Sequence, residues 1–215
     1  MAEIHPKQRK TFGLCFGHQI FAHAFQHENG LCIKCPHGQQ LGMRVSPCSV
    51  EGKRLLQRRP SALPMFVCDV NTLMHVEKGR PTDDDNLHLL YTHQDMVSTL
   101  PPFAVPLAST EKVDIVSAAY FANQLESEAF RDENPDEYCS VPYNGTRPYA
   151  LTFQAHPEYV GQNGINDTFR NIVSRANIPQ DERQKVICDA EEQFNLLHDD
   201  TISLMLSVGA ILGWF

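Results

Sequence analysis

Short apolar runs and amphipathic stretches alternate along the chain. An apolar run over 10–15 predicts a buried strand, and apolar residues spaced at i and i+4 predict a helix over 18–27. Further strands are predicted over 31–34, 41–45, 87–92, 103–108, 113–120 and 149–155, and further helices over 167–175, 180–197 and 200–214. This alternation predicts an α/β fold in which helices cover both faces of a sheet.

The segments between these elements are polar or rich in proline. The stretch 47–64 predicts a loop with room for one helical turn, 66–74 is ambiguous between strand and helix, and 79–86 predicts an exposed loop. An acidic insertion over about 121–148 predicts a solvated loop, with a lid over a nearby pocket as the alternative. We expect the chain 1–215 to form a single domain that ends in a helical segment over about 166–215.

Composition and charge exclude several classes of protein. The 215 residues are 42% hydrophobic and 20% charged, which excludes a disordered, collagen-like or coiled-coil chain. The net charge of −8 argues against a nucleic-acid-binding protein, which would present a basic face. The apolar stretch 202–215 is shorter than the roughly 20 residues that a membrane-spanning helix needs. We therefore expect neither nucleic acid nor a membrane as a partner.

The cysteines indicate a cellular compartment and argue against a metal site. There are 7 of them, an odd number that is scattered along the chain, and the first residues are polar rather than typical of a signal peptide. Free thiols in a reducing compartment are the simplest interpretation, which predicts a cytoplasmic protein. Cys32 and Cys35 have the C-x-x-C spacing of a zinc or redox site, but no second pair follows, so no metal is predicted.

The segment Gly13-Leu14-Cys15-Phe16-Gly17 carries the first candidate chemistry. A predicted strand ends here and a helix begins at once, which is the geometry of a nucleophile elbow with cysteine in place of serine. A thiolate at Cys15 would be favoured by the helix N-terminus, and the backbone N–H of Phe16 would point toward a developing oxyanion. The two glycines suit a tight turn with close backbone approach. The alternative is a buried cysteine in an ordinary strand–helix turn.

The segment Phe153-Gln154-Ala155-His156-Pro157-Glu158 follows an apolar strand and carries the second candidate site. A cysteine hydrolase needs an imidazole to exchange protons and a third group to fix its tautomer. His156 and Glu158 supply both groups. The alternative is a histidine that is merely satisfied within the core.

Taken together, the motifs GLCFGHQ and QAHPE resemble those of the class I glutamine amidotransferases, the family with a cysteine triad. Between them, Leu90-Tyr91-Thr92-His93-Gln94-Asp95-Met96-Val97 resembles the family's histidine-and-acid segment in the glutamine pocket. The resemblance spans 10–158 and is closest to the stand-alone, GMP-synthase-like group. It implies a three-layer, mostly parallel sheet flanked by helices, the flavodoxin-like fold of this family.

The resemblance also implies a reaction. Cys15 would attack the side-chain amide of glutamine and form a γ-glutamyl thioester, while His156 exchanges protons and Glu158 orients it. The elbow residues Gly13, Phe16 and Gly17 would shape the turn and the oxyanion site. Four further residues would hold the substrate: Gln19, His93, Gln94 and Asp95. No cofactor is implied, and the ammonia would pass to a partner synthase.

The sequence departs from the family at its N-terminal side. The nucleophile is residue 15, whereas members of the family carry two or three βα units before it, including a loop that gives a second oxyanion donor. We therefore expect an N-terminally truncated version of the fold. Two alternatives to an ammonia-supplying amidotransferase remain open: a γ-glutamyl peptidase acting on γ-glutamyl amides such as glutathione conjugates, and an inactive regulatory homologue.

Overall fold

A computed structural model of the protein describes residues 9–56, 86–132 and 147–214. The strands in these ranges are β1 (Thr11–Leu14), β2 (Leu31–Lys34), β3 (Gln40–Pro47), β4 (Asn86–His93), β5 (Asp95–Thr99), β6 (Ala104–Ala108), β7 (Ser117–Tyr120), β8 (Ala150–Phe153), β9 (Val160–Gly161) and β10 (Gly164–Ile165). The α-helices are α1 (Phe16–Ala24), α2 (Val50–Leu56), α3 (Gln124–Asp132), α4 (Asp167–Arg175), α5 (Gln180–Glu192) and α6 (Phe194–Leu212). The predictions for 66–74 and 79–85 lie outside the described residues.

The main sheet has four strands in the order β1-β8-β7-β6. Strand β1 runs parallel to β8, with Gly13 opposite Thr152 and Leu14 opposite Phe153. The other two pairs, β8 with β7 and β7 with β6, are antiparallel. The described sheet is therefore mixed, and the expectation of a mostly parallel sheet is wrong in this respect. The short connection 109–116 returns β7 beside β6, and a short return of this kind can only join antiparallel strands.

Alternate residues of β7 face opposite sides of the sheet, and both sides are covered. Ala118 and Tyr120 pack with the aromatic side chains of α1, whereas Ala119 belongs to the larger cluster that contains Leu55 of α2 and Leu204 of α6. Because successive side chains of a strand point to opposite faces, α1 lies on one side of the sheet and α2 with α6 on the other. The predicted three-layer α/β arrangement is confirmed.

Three smaller antiparallel pairs accompany the main sheet in the described ranges, and one of them joins the two-residue strands β9 and β10. Strand β3 pairs with β4 over eight residues, from Gln40 opposite His93 to Pro47 opposite Asn86. Strand β2 pairs with β5, and both lie beside α1. The loop between β4 and β5 therefore comes close to the helix that follows Cys15.

Several element boundaries agree with the sequence pattern and others do not. Strand β2 and helix α4 have the predicted bounds. The break between the last two helices lies at Gln193 rather than near residue 198, because α6 begins early enough to bury Leu197 in the cluster around Phe169. Strand β5 was not predicted as a strand. It is defined by its pairing with β2, which is distant in sequence.

The first part of the acidic insertion is a helix rather than a solvated loop. Helix α3 packs through the buried Phe130, whose ring lies 4.9 Å from that of Phe121. Arg131 donates to the carbonyl oxygen of Ala104, at the start of β6, which is level with the start of β8. Helix α3 therefore lies at the end of the sheet opposite to His156 and does not cover that residue. Residues 133–146 of the insertion lie outside the described ranges.

A helix must be both long and apolar to span a membrane. Within the described ranges, none combines the length and the apolar character needed to cross a bilayer.

Candidate active site

The parallel strands β1 and β8 end side by side, and the first two candidate motifs follow directly. Cys15 comes one residue after β1 and donates its backbone N–H to the carbonyl oxygen of Phe153, at 2.7 Å. The carbonyl oxygen of Cys15 accepts the backbone N–H of Gln19 at 3.1 Å, and Cys15 is the N-cap residue of α1. Its backbone has φ 46° and ψ −102°, a left-handed conformation that non-glycine residues rarely adopt. This strained turn has the form of a nucleophile elbow.

Glycine at position 13 is required by close packing within this turn. A Cβ atom at Gly13 would lie 3.1 Å from the backbone of Gly17 and 3.1 Å from the side chain of Thr152. A Cβ atom at Gly17 would meet nothing within 4 Å. The close approach predicted from the two glycines therefore exists, but it constrains only Gly13, while Gly17 supplies the backbone that Gly13 contacts.

The first turn of α1 provides candidate donors for an oxyanion. The first N–H groups of an α-helix have no acceptor within the helix. Phe16 is the first residue of α1, so its backbone N–H belongs to this set and lies next to the Cys15 side chain in the chain. The Phe16 side chain itself is 67% exposed.

His156 follows β8 and is held by three neighbours. Its backbone N–H donates to the carbonyl oxygen of Leu90 at 2.8 Å, its Nδ1 lies 2.6 Å from Oε1 of Glu158, and its ring stacks on Tyr159 with the centroids 4.2 Å apart. The Cys15 side chain also interacts with this ring and helps to raise its pKa. The structure thus brings Cys15, His156 and Glu158 together in that order.

The pKa of His156 reflects these contacts. Burial lowers the pKa, but the hydrogen bonds with Cys15 and Glu158, together with the charges of both groups, outweigh burial and raise the pKa to about 9. At neutral pH the ring is therefore protonated and can deliver a proton to a leaving group. A thiol beside an imidazole is an arrangement that can carry out nucleophilic attack on an acyl carbon.

The predicted substrate-binding residues fall into two groups. Gln19 is buried, and its Nε2 donates to the carbonyl oxygen of Asp95 at 2.9 Å and to Oε1 of Gln154 at 3.1 Å. His93 lies close by, with its Nδ1 2.9 Å from the same Asp95 carbonyl oxygen. Burial lowers the pKa of His93 to about 4, although the hydrogen bond to the Asp95 backbone raises it in part. This ring is therefore neutral at pH 7.

The other two predicted residues point elsewhere. Gln94 is exposed in the turn after β4, and its carbonyl oxygen accepts the backbone N–H of Cys35. The Asp95 side chain forms a solvent-exposed ion pair with Lys34 at 3.6 Å, so only the backbone of Asp95 takes part in the network around Gln19. Contacts to a substrate from these four residues remain predictions.

Two residues of the motifs were quoted in the sequence but given no role. Gln154, two residues before His156, is wholly buried and places Nε2 3.5 Å from Sγ of Cys15. His18, three residues after Cys15, is wholly buried between Oγ1 of Thr152 at 2.7 Å and the carbonyl oxygen of Ile115 at 3.4 Å. Burial lowers the pKa of His18 to about 4, so it is a neutral link between α1 and the sheet. The signal that could have found them is their position inside the motifs.

The described residues were also searched for a metal centre. In the ranges 9–56, 86–132 and 147–214, histidine, cysteine and acidic residues form no group of three or more that could hold a metal ion.

Known proteins share the fold with this chain at low sequence identity. The sequence matches no family model, and no curated protein matches it at a significant level. A glutamine amidotransferase from Thermotoga maritima is similar in structure with a TM-score of 0.52 and 15% identity, and the match covers 93% of this chain and 62% of that one. The protein SMU.1228c gives a TM-score of 0.51 at 14% identity, with coverage of 94% and 62%.

These similarities bear on the fold alone. The chain spans about three fifths of the length of the two solved structures that it matches. The predicted glutamine amidotransferase-like α/β fold is confirmed.

Proposed function

We propose that this chain, with its glutamine amidotransferase-like fold, hydrolyses the side-chain amide of glutamine through a thioester on Cys15. The observation that carries the proposal is the arrangement at the ends of β1 and β8. Cys15 follows β1, which runs parallel to the strand β8 that leads to His156, and Nδ1 of His156 lies 2.6 Å from the carboxylate of Glu158. The Cys15 side chain also helps to raise the pKa of His156. Each of the three groups has a role in acyl transfer.

In the first half of the reaction, the Cys15 thiolate attacks the amide carbon of glutamine and a carbon–sulfur bond forms. The negative charge that develops on the amide oxygen is stabilised by the backbone N–H of Phe16. The carbon–nitrogen bond then breaks, and the protonated His156 gives its proton to the nitrogen, which leaves as ammonia. Glu158 holds the ring so that its other nitrogen faces the reacting atoms.

In the second half, water attacks the thioester. His156, now neutral, accepts a proton from the water as the carbon–oxygen bond forms. The carbon–sulfur bond breaks, glutamate leaves, and the thiolate and the protonated imidazole are restored. The net reaction converts glutamine and water into glutamate and ammonia.

The substrate and the fate of the ammonia belong to the same proposal. Both amide hydrogens of Gln19 go to Asp95 and Gln154, which leaves its Oε1 as the atom to accept a hydrogen bond from the amino-acid end of glutamine. The ammonia would pass to a partner synthase. The described cysteines are free thiols, which supports the cytoplasm as the compartment.

The function is tested by comparing two cysteine variants. The purified chain is incubated with glutamine, and the released glutamate is measured. We expect Cys15→Ala to lower the release by a factor on the order of 10⁴ or more, because the covalent route is removed. The control is Cys32→Ala, which removes a half-buried thiol on β2 and should leave the release unchanged.

A second measurement separates the alternatives. A diazo-ketone analogue of glutamine should form one adduct, on Cys15, when the folded chain is analysed by mass spectrometry. Faster turnover of γ-glutamyl peptides than of glutamine would replace the proposal with a γ-glutamyl peptidase. A folded chain that forms no adduct and releases no glutamate would instead be a regulatory homologue.

A further inference from the structure

The buried carboxamide of Gln154 lies directly beside the nucleophile. Gln154 follows β8 and is 0% exposed, and its Nε2 is 3.5 Å from Sγ of Cys15. Its Oε1 is 3.1 Å from Nε2 of Gln19. A buried carboxamide that contacts a reacting atom can stabilise or destabilise a charge there, depending on which end of its dipole faces that atom.

The surrounding hydrogen bonds fix which end faces the sulfur. A backbone carbonyl oxygen can only accept, so the Gln19 atom that contacts the Asp95 carbonyl oxygen must be the amide nitrogen. That nitrogen has a second hydrogen, which is directed to Gln154, so Gln154 must present its oxygen there. The nitrogen of Gln154 is then left to face Cys15, and it donates to the sulfur.

The Asp95 carbonyl oxygen is itself held in place. It accepts from Nε2 of Gln19 and lies 2.9 Å from Nδ1 of His93, so both of its lone pairs are used. The result is a continuous chain of contacts from His93 through Asp95, Gln19 and Gln154 to the sulfur of Cys15. None of these groups can turn over without breaking a buried hydrogen bond.

We propose that Gln154 is a further catalytic residue that donates an N–H to the Cys15 thiolate, and that Gln19 is a positioning residue that sets the orientation of Gln154. This inference rests on the proposed thioester chemistry at the same site. A donor on the sulfur favours the thiolate over the thiol, because hydrogen bonds to charged groups are stronger than those to neutral ones. It also helps the thiolate to leave when water attacks the thioester, since the charge returns to sulfur in that step.

The test measures the thiolate directly instead of the turnover. The folded chain is treated with iodoacetamide across a range of pH, and alkylation of the Cys15 peptide is followed by mass spectrometry. In Gln154→Met, a side chain of similar size replaces the donor. We expect the midpoint of the Cys15 alkylation curve to rise by about one pH unit, which is the size of a hydrogen bond to a partly screened charge. Gln19→Met should move the midpoint in the same direction by less.

A matched control separates this effect from a general loss of packing. Gln40 is also buried, and its Nε2 donates to the carbonyl oxygens of His37 and Gly38, away from the nucleophile. Gln40→Met therefore removes a similar side chain and should leave the Cys15 midpoint unchanged. A midpoint that does not move in Gln154→Met and Gln19→Met, both shown by circular dichroism to be folded, overturns the inference. An equal shift in Gln40→Met overturns it as well.

The inference and the proposed function can fail separately. Wild-type protein that hydrolyses glutamine while the midpoint stays fixed in both variants would leave the function and remove the role of Gln154. A shifted midpoint in a chain that hydrolyses neither glutamine nor γ-glutamyl peptides would support the donor to sulfur and remove the proposed reaction.

Discussion

Two histidine–carboxylate pairs in the molecule have similar local geometry and different surroundings. In one, Nδ1 of His156 lies 2.6 Å from Glu158, whose side chain is 47% exposed, and the Cys15 side chain helps to raise the pKa of the ring. In the other, Nδ1 of His88 on β4 lies 2.9 Å from Asp200 on α6, and both side chains are buried. The same Asp200 oxygen also accepts the backbone N–H of His88 at 2.7 Å.

On the proposed function, only His156 of the two is catalytic, which would mean that a carboxylate on Nδ1 is not enough to make a histidine catalytic. Asp200 satisfies two donors of one residue and so joins a helix to a strand in the core. Glu158 satisfies one ring nitrogen and leaves the other for a thiol at the ends of two parallel strands. The difference lies in the surroundings of each pair: Cys15 interacts with His156, and the Glu158 side chain is 47% exposed whereas that of Asp200 is 2% exposed. Three predictions test this distinction.

The largest expected effect separates the two histidines by activity. We expect His156→Gln to lower kcat for glutamine by a factor on the order of 10³, because His156 is the proposed proton donor and acceptor in both halves of the reaction. His88→Gln should keep the kcat of the folded protein and lower only its stability. Steady-state assays on both variants, with folding checked by circular dichroism, make the measurement. A kcat for His156→Gln close to that of the wild type would contradict the proposed difference in role between His156 and His88.

The second effect is on stability, and it concerns Asp200, the carboxylate of the buried pair. Asp200→Ala leaves two buried donors of His88 without their acceptor, and we expect the free energy of unfolding to fall by about 3 kcal/mol. Asp199→Ala is the matched control on the same helix, since Asp199 is exposed and 3.6 Å from His198. That change should lower the free energy by less than about 0.5 kcal/mol. Urea unfolding measures both, and equal losses would contradict the structural role of Asp200.

The smallest effect concerns the pH dependence of the candidate catalytic pair. The protonated form of His156 is stabilised by Cys15 and Glu158, which raise its pKa to about 9, so activity should fall as the pH rises through that value. Glu158→Gln removes one of the two stabilising charges and must lower this pKa. We expect the alkaline limb of the kcat/KM profile, which reports the free protein, to move to lower pH, with kcat/KM falling about tenfold at pH 8. An alkaline limb that stays in place or moves upward would show that Glu158 does not act through His156.

Much of the fold and of the candidate site could be predicted from short-range patterns. The strand–turn–helix around Cys15 and the apolar strand before His156 are local signals, and parallel strands that end together bring such residues to one edge of the sheet. The three groups Cys15, His156 and Glu158 are therefore adjacent, as the two motifs predict. The bounds of β2 and α4 were likewise readable from apolar spacing and capping.

The parts that could not be predicted depend on contacts between distant segments. Strand β5 exists because β2 pairs with it, and nothing within 95–99 alone distinguishes it from a loop. The acidic composition of the insertion outweighed its few apolar residues, one of which, Phe130, packs α3 into the core. The orientation of Gln154 depends on Gln19 and on a backbone carbonyl of Asp95, so no reading of the motif QAHPE by itself could assign it.

The left-handed backbone of Cys15 has a consequence for how this chain would respond to selection. A non-glycine residue held at a φ of 46° costs of order 1–3 kcal/mol, whereas glycine adopts such a conformation without penalty. Under selection for stability alone, glycine would be the favoured residue at position 15. Cysteine at this position is therefore a trade-off in which the chain gives up thermodynamic stability for a reactive group.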